Sequence, residues 1–79
     1  MKLSTSVRRA KLRALADADG HDTVDALLAA AVADSACPAI CTAPDCSYTC
    51  EMEPDQDRGW CEECRQNTMQ SALVLAGLI

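Results

Sequence analysis

Six cysteines crowd into residues 37–64 of a chain of only 79 residues, and this density constrains the fold more than any other feature. A chain this short buries little apolar surface and usually needs a staple besides its core. The apolar residues include many alanines and only two aromatic side chains, Tyr48 and Trp60, so the core itself is modest. The spacing is Cys37-x3-Cys41-x4-Cys46-x3-Cys50-x10-Cys61-x2-Cys64.

The expected compartment decides whether these cysteines bind metal or form disulfides. The first sixteen residues are interrupted by arginine and lysine and contain no apolar run that would suit a signal peptide. The most apolar stretch, residues 71–79, is far shorter than the roughly 20 residues that span a bilayer. We therefore predict a cytoplasmic protein without a membrane segment. In a reducing compartment, paired cysteines indicate a metal site before they indicate disulfides.

The cysteine spacing predicts one structural zinc ion. Structural zinc takes four tetrahedral ligands, which two tight turns commonly supply as two close pairs. Cys61 and Cys64 form the clear pair, and Cys41 with Cys46 is the preferred second pair because residues 42–45 can form a turn. The spacing also permits Cys37 with Cys41, or Cys46 with Cys50, as the first pair. Cys37 and Cys50 are therefore either spare ligands or buried core thiols.

Redox chemistry and iron–sulfur chemistry suit this pattern less well. The two residues between Cys61 and Cys64 are both glutamates, whose charge disfavours the reactive thiolate that a thiol oxidoreductase needs. Zinc removes this objection because it deprotonates its thiols. The usual ferredoxin spacings are missing from the sequence. Arg58 and Arg65 flank the second pair and could shield the negative charge of a zinc–thiolate centre.

Two helices are predicted before the cysteine region. Residues 4–19 form the first, with Ser4 or Ser6 as its cap and Gly20 at its end. Its apolar stripe is broad and shallow and combines one side made by Val7, Ala10, Ala14 and Ala18 with an adjoining side made by Leu12 and Leu15. Residues 24–35 form the second, capped by Asp22 or Thr23, and its apolar face comprises Val24, Leu27, Leu28, Ala31 and Val32.

The rest of the chain predicts a strand, a turn and an apolar end. Residues 47–53 alternate as a half-buried strand, and residues 53–59 make a turn before Trp60. Residues 68–79 could form a helix or a strand, and a helix from about Thr68 is favoured. We expect this segment to pack on the apolar face of the second helix together with Trp60, with burial against a second chain as the alternative. The predicted fold is a small α+β single domain, residues 1–79. It consists of an N-terminal helical hairpin (1–35) packed on a zinc-ribbon-like β-hairpin (36–67), with an apolar C-terminal segment (68–79).

Several short motifs occur together within residues 24–79. They are Pro38-Ala39-Ile40-Cys41, Cys46, Glu53-Pro54-Asp55-Gln56-Asp57, Gly59-Trp60-Cys61 and the apolar run from Ser71 to Gly77. In these motifs the chain resembles a group of small, functionally uncharacterised zinc-ribbon-type proteins of bacteriophages and proteobacterial mobile elements. The resemblance implies zinc on Cys41, Cys46, Cys61 and Cys64, and it implies no activity. That group tends to have glycine after the second cysteine pair, where this chain has Arg65.

The charge is strongly asymmetric and suggests two kinds of partner. Residues 1–16 carry five basic side chains and no acid, whereas the remainder carries two basic side chains and all twelve acids. Nucleic-acid binding would use the basic N-terminal helix. The second helix contains no Arg, Lys, Asn or Gln with which to read bases, so we expect weak DNA binding at most. The candidate residues for that binding are Arg8, Arg9, Lys11 and Arg13.

The preferred hypothesis is that the protein is a non-catalytic protein-interaction module. Residues 51–63 contain six acids, which suit a basic protein partner, including a nucleic-acid-binding host protein if the chain is phage-encoded. The shallow face of the first helix is compatible with homo-oligomerisation. The only histidine, His21, lies in a predicted turn, and no catalytic grouping or phosphate-binding loop is recognisable, so we do not expect an enzyme.

Overall fold

The computed structural model describes residues 3–33 and 36–79. The two N-terminal helices pack on a curled four-stranded antiparallel sheet, which confirms the predicted small α+β class. The elements are α1 (Thr5–Ala18), α2 (Val24–Ala33), β1 (Cys37–Cys41), β2 (Thr49–Met52), β3 (Gly59–Cys61), β4 (Gln66–Ser71) and α3 (Ala72–Leu75).

The first two helices begin and end close to where their capping residues predict. The hydroxyl oxygen of Ser4 accepts a hydrogen bond from the backbone N–H of Val7 at 3.2 Å, and this caps α1. Gly20, with φ at +81°, turns the chain after α1 in the left-handed conformation that glycine tolerates best. Thr23 caps α2, because its Oγ1 accepts from the backbone N–H of Ala26 at 3.0 Å. The last two residues of the predicted second helix, 34 and 35, lie outside the described residues.

The predicted apolar faces of both helices need correction. On α1 the side that carries Leu12 and Leu15 is buried, together with Ala16 and Lys11, whereas Val7, Ala10 and Ala18 are exposed. Two leucines bury more apolar area than small side chains do, so they determine which side faces the core. On α2 the face is right for Leu27 and Ala31, but Val32 is 67% exposed.

The sheet has the strand order β2-β1-β4-β3, with every neighbouring pair antiparallel. The predicted hairpin between residues 47–53 and Trp60 is wrong, because β2 and β3 lie at opposite edges of the sheet. Each pairs instead with an unpredicted neighbour, β2 with β1 and β3 with β4. The central strand β1 tolerates Pro38 because its pairing with β4 begins only at Ala39, beyond the proline that lacks an N–H.

Residues 68–71 also differ from the prediction, because they belong to β4 rather than to a helix. As part of β4 they pair with β1 and β3, and this pairing determines their conformation more strongly than the helical preference of the neighbouring residues 72–75 does. The helix begins only after Ser71, whose Oγ accepts from the backbone N–H of Val74 at 3.2 Å. The same hydroxyl donates to the carbonyl oxygen of Pro54 and so fastens the loop between β2 and β3 across the sheet.

The buried apolar side chains form two clusters, and both include residues of β1. The helical cluster combines α1, α2 and α3 with Cys37 and Ile40 of β1. The cysteine cluster contains Ala39, Cys41, Cys61 and Met69, with Tyr48, Cys50 and Met52 packed against it. The predicted burial of the C-terminal segment against α2 is confirmed for Leu73 and Leu75. It is wrong for Val32 and Trp60, which lie outside the helical cluster, while Leu78 and Ile79 are exposed.

Candidate metal centre

Four of the six cysteine thiols converge at one end of the sheet. The Sγ atoms of Cys41, Cys46, Cys61 and Cys64 all lie within 4.8 Å of one another. The Sγ–Sγ distance is 3.7 Å between Cys41 and Cys64 and 3.9 Å between Cys46 and Cys61. Thiolates placed tetrahedrally at about 2.3 Å from zinc would be about 3.8 Å apart. The four thiols are therefore arranged to hold one metal ion.

The topology of the sheet brings these thiols together. Cys41 ends β1 and Cys46 precedes β2, while Cys61 ends β3 and Cys64 lies in the turn before β4. Because β1 and β4 are adjacent and antiparallel, the β1–β2 connection and the β3–β4 connection meet at the same end. Each connection supplies one buried thiol, that of Cys41 or Cys61, and one half-buried thiol.

Backbone hydrogen bonds shape the two cysteine turns. In the first turn, the N–H of Cys46 donates to the carbonyl oxygen of Ala43 at 3.2 Å. In the second, the N–H of Cys64 donates to the Sγ of Cys61 at 3.4 Å, and the N–H of Arg65 donates to the Cys61 carbonyl oxygen at 2.7 Å. Arg65 has a φ of +55°, so the left-handed turn is present although the glycine typical of the resembling group is replaced.

Two side chains outside the cysteine spacing support the cluster, and the sequence analysis missed the role of both. The hydroxyl of Thr68 lies 3.0 Å from the Sγ of Cys41. Lys11, from the middle of α1, is only 8% exposed, and its Nζ donates to the carbonyl oxygens of Ala43 and Cys46. Lys11 thus ties α1 to the first cysteine turn.

The thiols of the cluster differ in acidity. Burial alone would raise the pKa of Cys41, but hydrogen bonds from the Thr68 hydroxyl and the Ala43 backbone lower it by more than burial raises it. The pKa of Cys41 therefore falls to about 7. The neighbouring thiols of Cys46 and Cys41, together with burial, raise the pKa of Cys64 above its ordinary value. A bound cation would favour the thiolate form of all four cysteines, as the chemistry of metal-ligating thiols requires.

The other two cysteines, Cys37 and Cys50, do not belong to the set of four thiols that could hold a metal ion. Cys37 is fully buried among the helices, in the helical cluster. Cys50 is half-buried against the cysteine cluster, and burial raises the pKa of its thiol. Both positions match the core-thiol alternative, so the structure favours the pair Cys41 and Cys46 over the two other pairings that the spacing allows.

The basic residues proposed for nucleic-acid binding do not form one surface. The Lys11 ammonium is buried on the first cysteine turn and cannot contact phosphates without leaving it. Arg13 pairs with Asp17 at 2.9 Å and donates to the carbonyl oxygen of Asp22 at 3.0 Å. Arg9 is exposed and Arg8 is half-buried near the start of α1. Arg58 and Arg65, the predicted shields of the centre, are exposed, and the cation that contacts a cysteine turn is Lys11.

The acidic side chains lie at the surface, but they do not all lie near the centre: Glu63 borders it, whereas Asp55 and Asp57 lie in the β2–β3 connection at the other end of the sheet. The six acids between residues 51 and 63 are all exposed, as the sequence predicted for an outer face. Beside the centre is an open cleft of about 460 Å³ lined by Cys46, Cys64, Tyr48, Asp45 and Glu63. The half-buried thiols therefore border solvent on one side, while Cys41 and Cys61 face the interior.

Of the features that suggested the resemblance, the structure supports the set of four cysteines. No protein-family model, curated protein or solved structure matches the chain. The cluster is consistent with a zinc-binding motif, as the resembling group would have. Within residues 3–33 and 36–79, no helix is both long enough and apolar enough to cross a membrane.

Proposed function

We propose that the chain is a non-catalytic zinc protein of the cytoplasm, in which one structural zinc ion holds a small protein-interaction or regulatory module together. The observation that carries the zinc assignment is the convergence of four thiols whose Sγ atoms lie within 4.8 Å of one another, with two of the Sγ–Sγ distances at 3.7 and 3.9 Å. Four thiolates suit zinc, which accepts this ligand set without a redox change.

A structural rather than catalytic role follows from the ligand count. Catalytic zinc sites keep one coordination position open for water or substrate, whereas four protein ligands close the site. The support from Thr68 and Lys11 fits this role, because both contact the ligands or the turns that carry them. The proposed ion therefore contributes folding free energy and takes no part in a reaction.

The proposed partner is a basic protein, which would bind the acidic surface between residues 51 and 63. All six acids of that stretch are exposed, and opposite charge on a partner would speed association and select against acidic surfaces. A phage-encoded protein acting on a basic host partner is one setting for such a surface, as the resemblance to phage zinc-ribbon proteins suggests.

The alternative is a nucleic-acid-binding regulator that uses the basic N-terminal helix. It is less well supported, because Lys11 is buried and Arg13 is paired with Asp17. Among the described residues, Arg8 and Arg9 are the cations of the four that are neither buried nor paired with an acid, so few phosphates could be neutralised. We expect DNA affinity to be weak at physiological salt and its log–log salt dependence to have a slope of about −0.9 per phosphate contact. A tight, sequence-selective complex at that salt would favour the alternative.

Two measurements test the proposal. Elemental analysis of the purified protein should give one zinc ion per chain, and a protein without metal would reject the zinc assignment. Affinity purification from the native host, with nuclease treatment and mass spectrometry, should recover a basic protein. The matched bait is the Glu51→Lys/Glu53→Lys variant, which changes exposed residues outside the metal site and should lose that partner. Equal recovery by both baits would contradict the acidic-surface proposal.

A further inference from the structure

A groove with an apolar floor and a basic rim lies between the three helices, on a surface that the proposed function does not use. Its volume is about 400 Å³. Leu12 of α1, Leu28 of α2 and Leu75 of α3 line it, while Arg8 and Arg9 come from the first half of α1. Among the residues that the structure describes, those that line the groove include no acidic side chain.

The two arginines have no counter-ion within the part of the chain that the structure describes. The ion pairs found there join Arg13 to Asp17 and His21 to Asp19, and neither involves the groove. The N-terminal end of α1, at Thr5, also borders the groove and adds the positive end of a 14-residue helix. The rim therefore favours negative charge on whatever covers the groove.

Three large apolar side chains that are close in sequence to groove residues are also exposed. Val32 lies one helical turn beyond Leu28 on α2 and is 67% exposed. Leu78 and Ile79 follow Ala76 of the groove wall and are 60% and 64% exposed. Small soluble proteins seldom expose several large apolar side chains near one another unless a partner covers them.

We propose that this groove docks an amphipathic helix of a partner protein, one that carries acidic side chains within a turn of its apolar anchors. An amphipathic helix in a groove presents leucine-like anchors at i, i+3, i+4 and i+7, which suits a floor built from three helices. Acidic residues beside those anchors meet Arg8 and Arg9, with which carboxylates can form bidentate pairs.

Other occupants fit less well. A nucleic acid offers phosphates to the rim but no apolar side chain to the floor. An anionic membrane attracts clusters of four to eight basic residues, whereas this rim has two and the rest of the chain is strongly acidic. A second copy of the chain could present its exposed Val32, Leu78 or Ile79, but a symmetric contact through this groove would bring Arg8 and Arg9 of both copies together without an opposite charge.

The test is a selection of displayed random peptides of about 16 residues, roughly four helical turns, on the zinc-loaded full-length protein. Enriched peptides should carry Asp or Glu within one turn of Leu, Ile, Met or Phe. A synthetic peptide from the selection should bind Arg8→Glu/Arg9→Glu about tenfold or more weakly than the unmodified protein, because reversed charge repels its acids. Arg58→Glu, a single charge reversal at an exposed residue outside the groove and therefore the equal-charge control for Arg9→Glu alone, should leave its affinity unchanged.

The outcomes separate the occupants. If the double variant misfolds, Arg9→Glu alone replaces it, since Arg9 is exposed; NMR shifts on peptide binding should then still cluster at Leu28 and Ala76. The proposal is overturned if no peptide is enriched, if enriched peptides are basic, or if Arg58→Glu weakens binding equally. Binding of phosphatidylserine vesicles, or tight binding of duplex DNA at physiological salt, that is lost in the double variant also overturns it, as does self-association that is lost in that variant.

Discussion

Lys11 connects α1 to the first cysteine turn through its side-chain ammonium group. Its ammonium group is nearly buried and donates to two carbonyl oxygens of the first cysteine turn, those of Ala43 and Cys46. The positive charge also lies beside a centre that four thiolates and one zinc ion would leave with a net negative charge. Lys11 thus contributes both a mechanical tie and charge compensation.

We expect Lys11→Met to lower the free energy of unfolding of the zinc-loaded protein by about 1–3 kcal/mol. Methionine preserves much of the side-chain volume but leaves two carbonyl oxygens without their donor. Urea unfolding at a fixed free zinc concentration measures the change. Arg9→Met is the matched control, since Arg9 is exposed, and its effect should stay within about 0.5 kcal/mol. Equal effects of the two variants would show that the Lys11 hydrogen bonds to the first cysteine turn do not stabilise the protein.

Thr68 acts on the centre through one hydrogen bond, from its hydroxyl to the Sγ of Cys41 at 3.0 Å. Thr68→Val removes this donor while preserving the shape of the side chain. We expect zinc affinity to fall by about tenfold or more, as is typical when a partner of a metal ligand is lost. Competition with a chromophoric chelator measures it. Thr68→Ser, which retains the hydroxyl, should restore most of the affinity; a weak serine variant would indicate lost packing instead.

The two kinds of cysteine predict opposite results on substitution. Cys61→Ser replaces a buried thiol of the quartet and should abolish stoichiometric zinc binding. Cys50→Val replaces a half-buried thiol outside the quartet and should retain one zinc ion per chain, because valine suits an apolar environment. Elemental analysis of both purified variants decides this. Loss of zinc in Cys50→Val would mean that the ligand set is wrong.

At the residue scale, the sequence predicts those site residues whose roles depend on nearby positions in the chain. Cys41, Cys46, Cys61 and Cys64 come together as predicted, because close pairs in turns are recognisable from spacing alone. Lys11 and Thr68 were not recognised as supports, because their roles depend on which segments pack against the cysteine turns. A lysine between two apolar sides of a helix was the one available hint.

At the scale of the elements, local signals predicted the helices and missed half of the sheet. The caps at Ser4 and Thr23 and the glycine after α1 are local, and they were right within about one residue. The strand β1 is short and contains Pro38, and β4 is polar, so neither shows the alternation of a strand. They become strands because they pair with each other, an interaction that no local pattern reveals.

The short helix α3 matters for folding out of proportion to its length. Leu73 and Leu75 are buried in the helical cluster. Each buried leucine contributes roughly 1.5–3 kcal/mol through the apolar area removed from water. Deleting residues 73–79 should therefore abolish cooperative unfolding or cause aggregation, which circular dichroism and light scattering would detect.

A shorter truncation provides the control for this deletion. Removing only residues 78–79 takes away exposed side chains and should change the melting temperature little. If the chain that ends at residue 72 stays monomeric and melts like the full-length protein, Leu73 and Leu75 of α3 do not contribute to the stability of the helical cluster.

At the scale of the whole molecule, β1 joins the two apolar clusters. Cys37 and Ile40 belong to the helical cluster, whereas Ala39 and Cys41 belong to the cysteine cluster. Lys11 provides a second connection between α1 and the first cysteine turn. Neither cluster is large, so each depends on the strand that they share. Metal binding at one end of the sheet should therefore stabilise the helices as well.

Removal of zinc should consequently unfold the entire chain rather than the cysteine turns alone. Structural zinc contributes on the order of 10 kcal/mol or more of apparent binding free energy, which is comparable to the total stability of about 5–15 kcal/mol of a small domain. Chelator titration can be followed at both ends of the molecule. Fluorescence of Trp60, the chain's only tryptophan and the neighbour of Cys61, reports on the second cysteine turn, and far-ultraviolet circular dichroism reports on α1 and α2.

The two signals should change together at one chelator concentration, because a single cooperative transition gives coincident curves with different probes. Adding zinc back should restore both, and Cys61→Ser should resemble the zinc-free state from the start. A zinc-free protein that loses only the native Trp60 signal, while the helical signal and the protected amides of Leu15 and Leu27 persist, would contradict this prediction. The helices would then form a core of their own, and β1 and Lys11 would connect two units that fold separately.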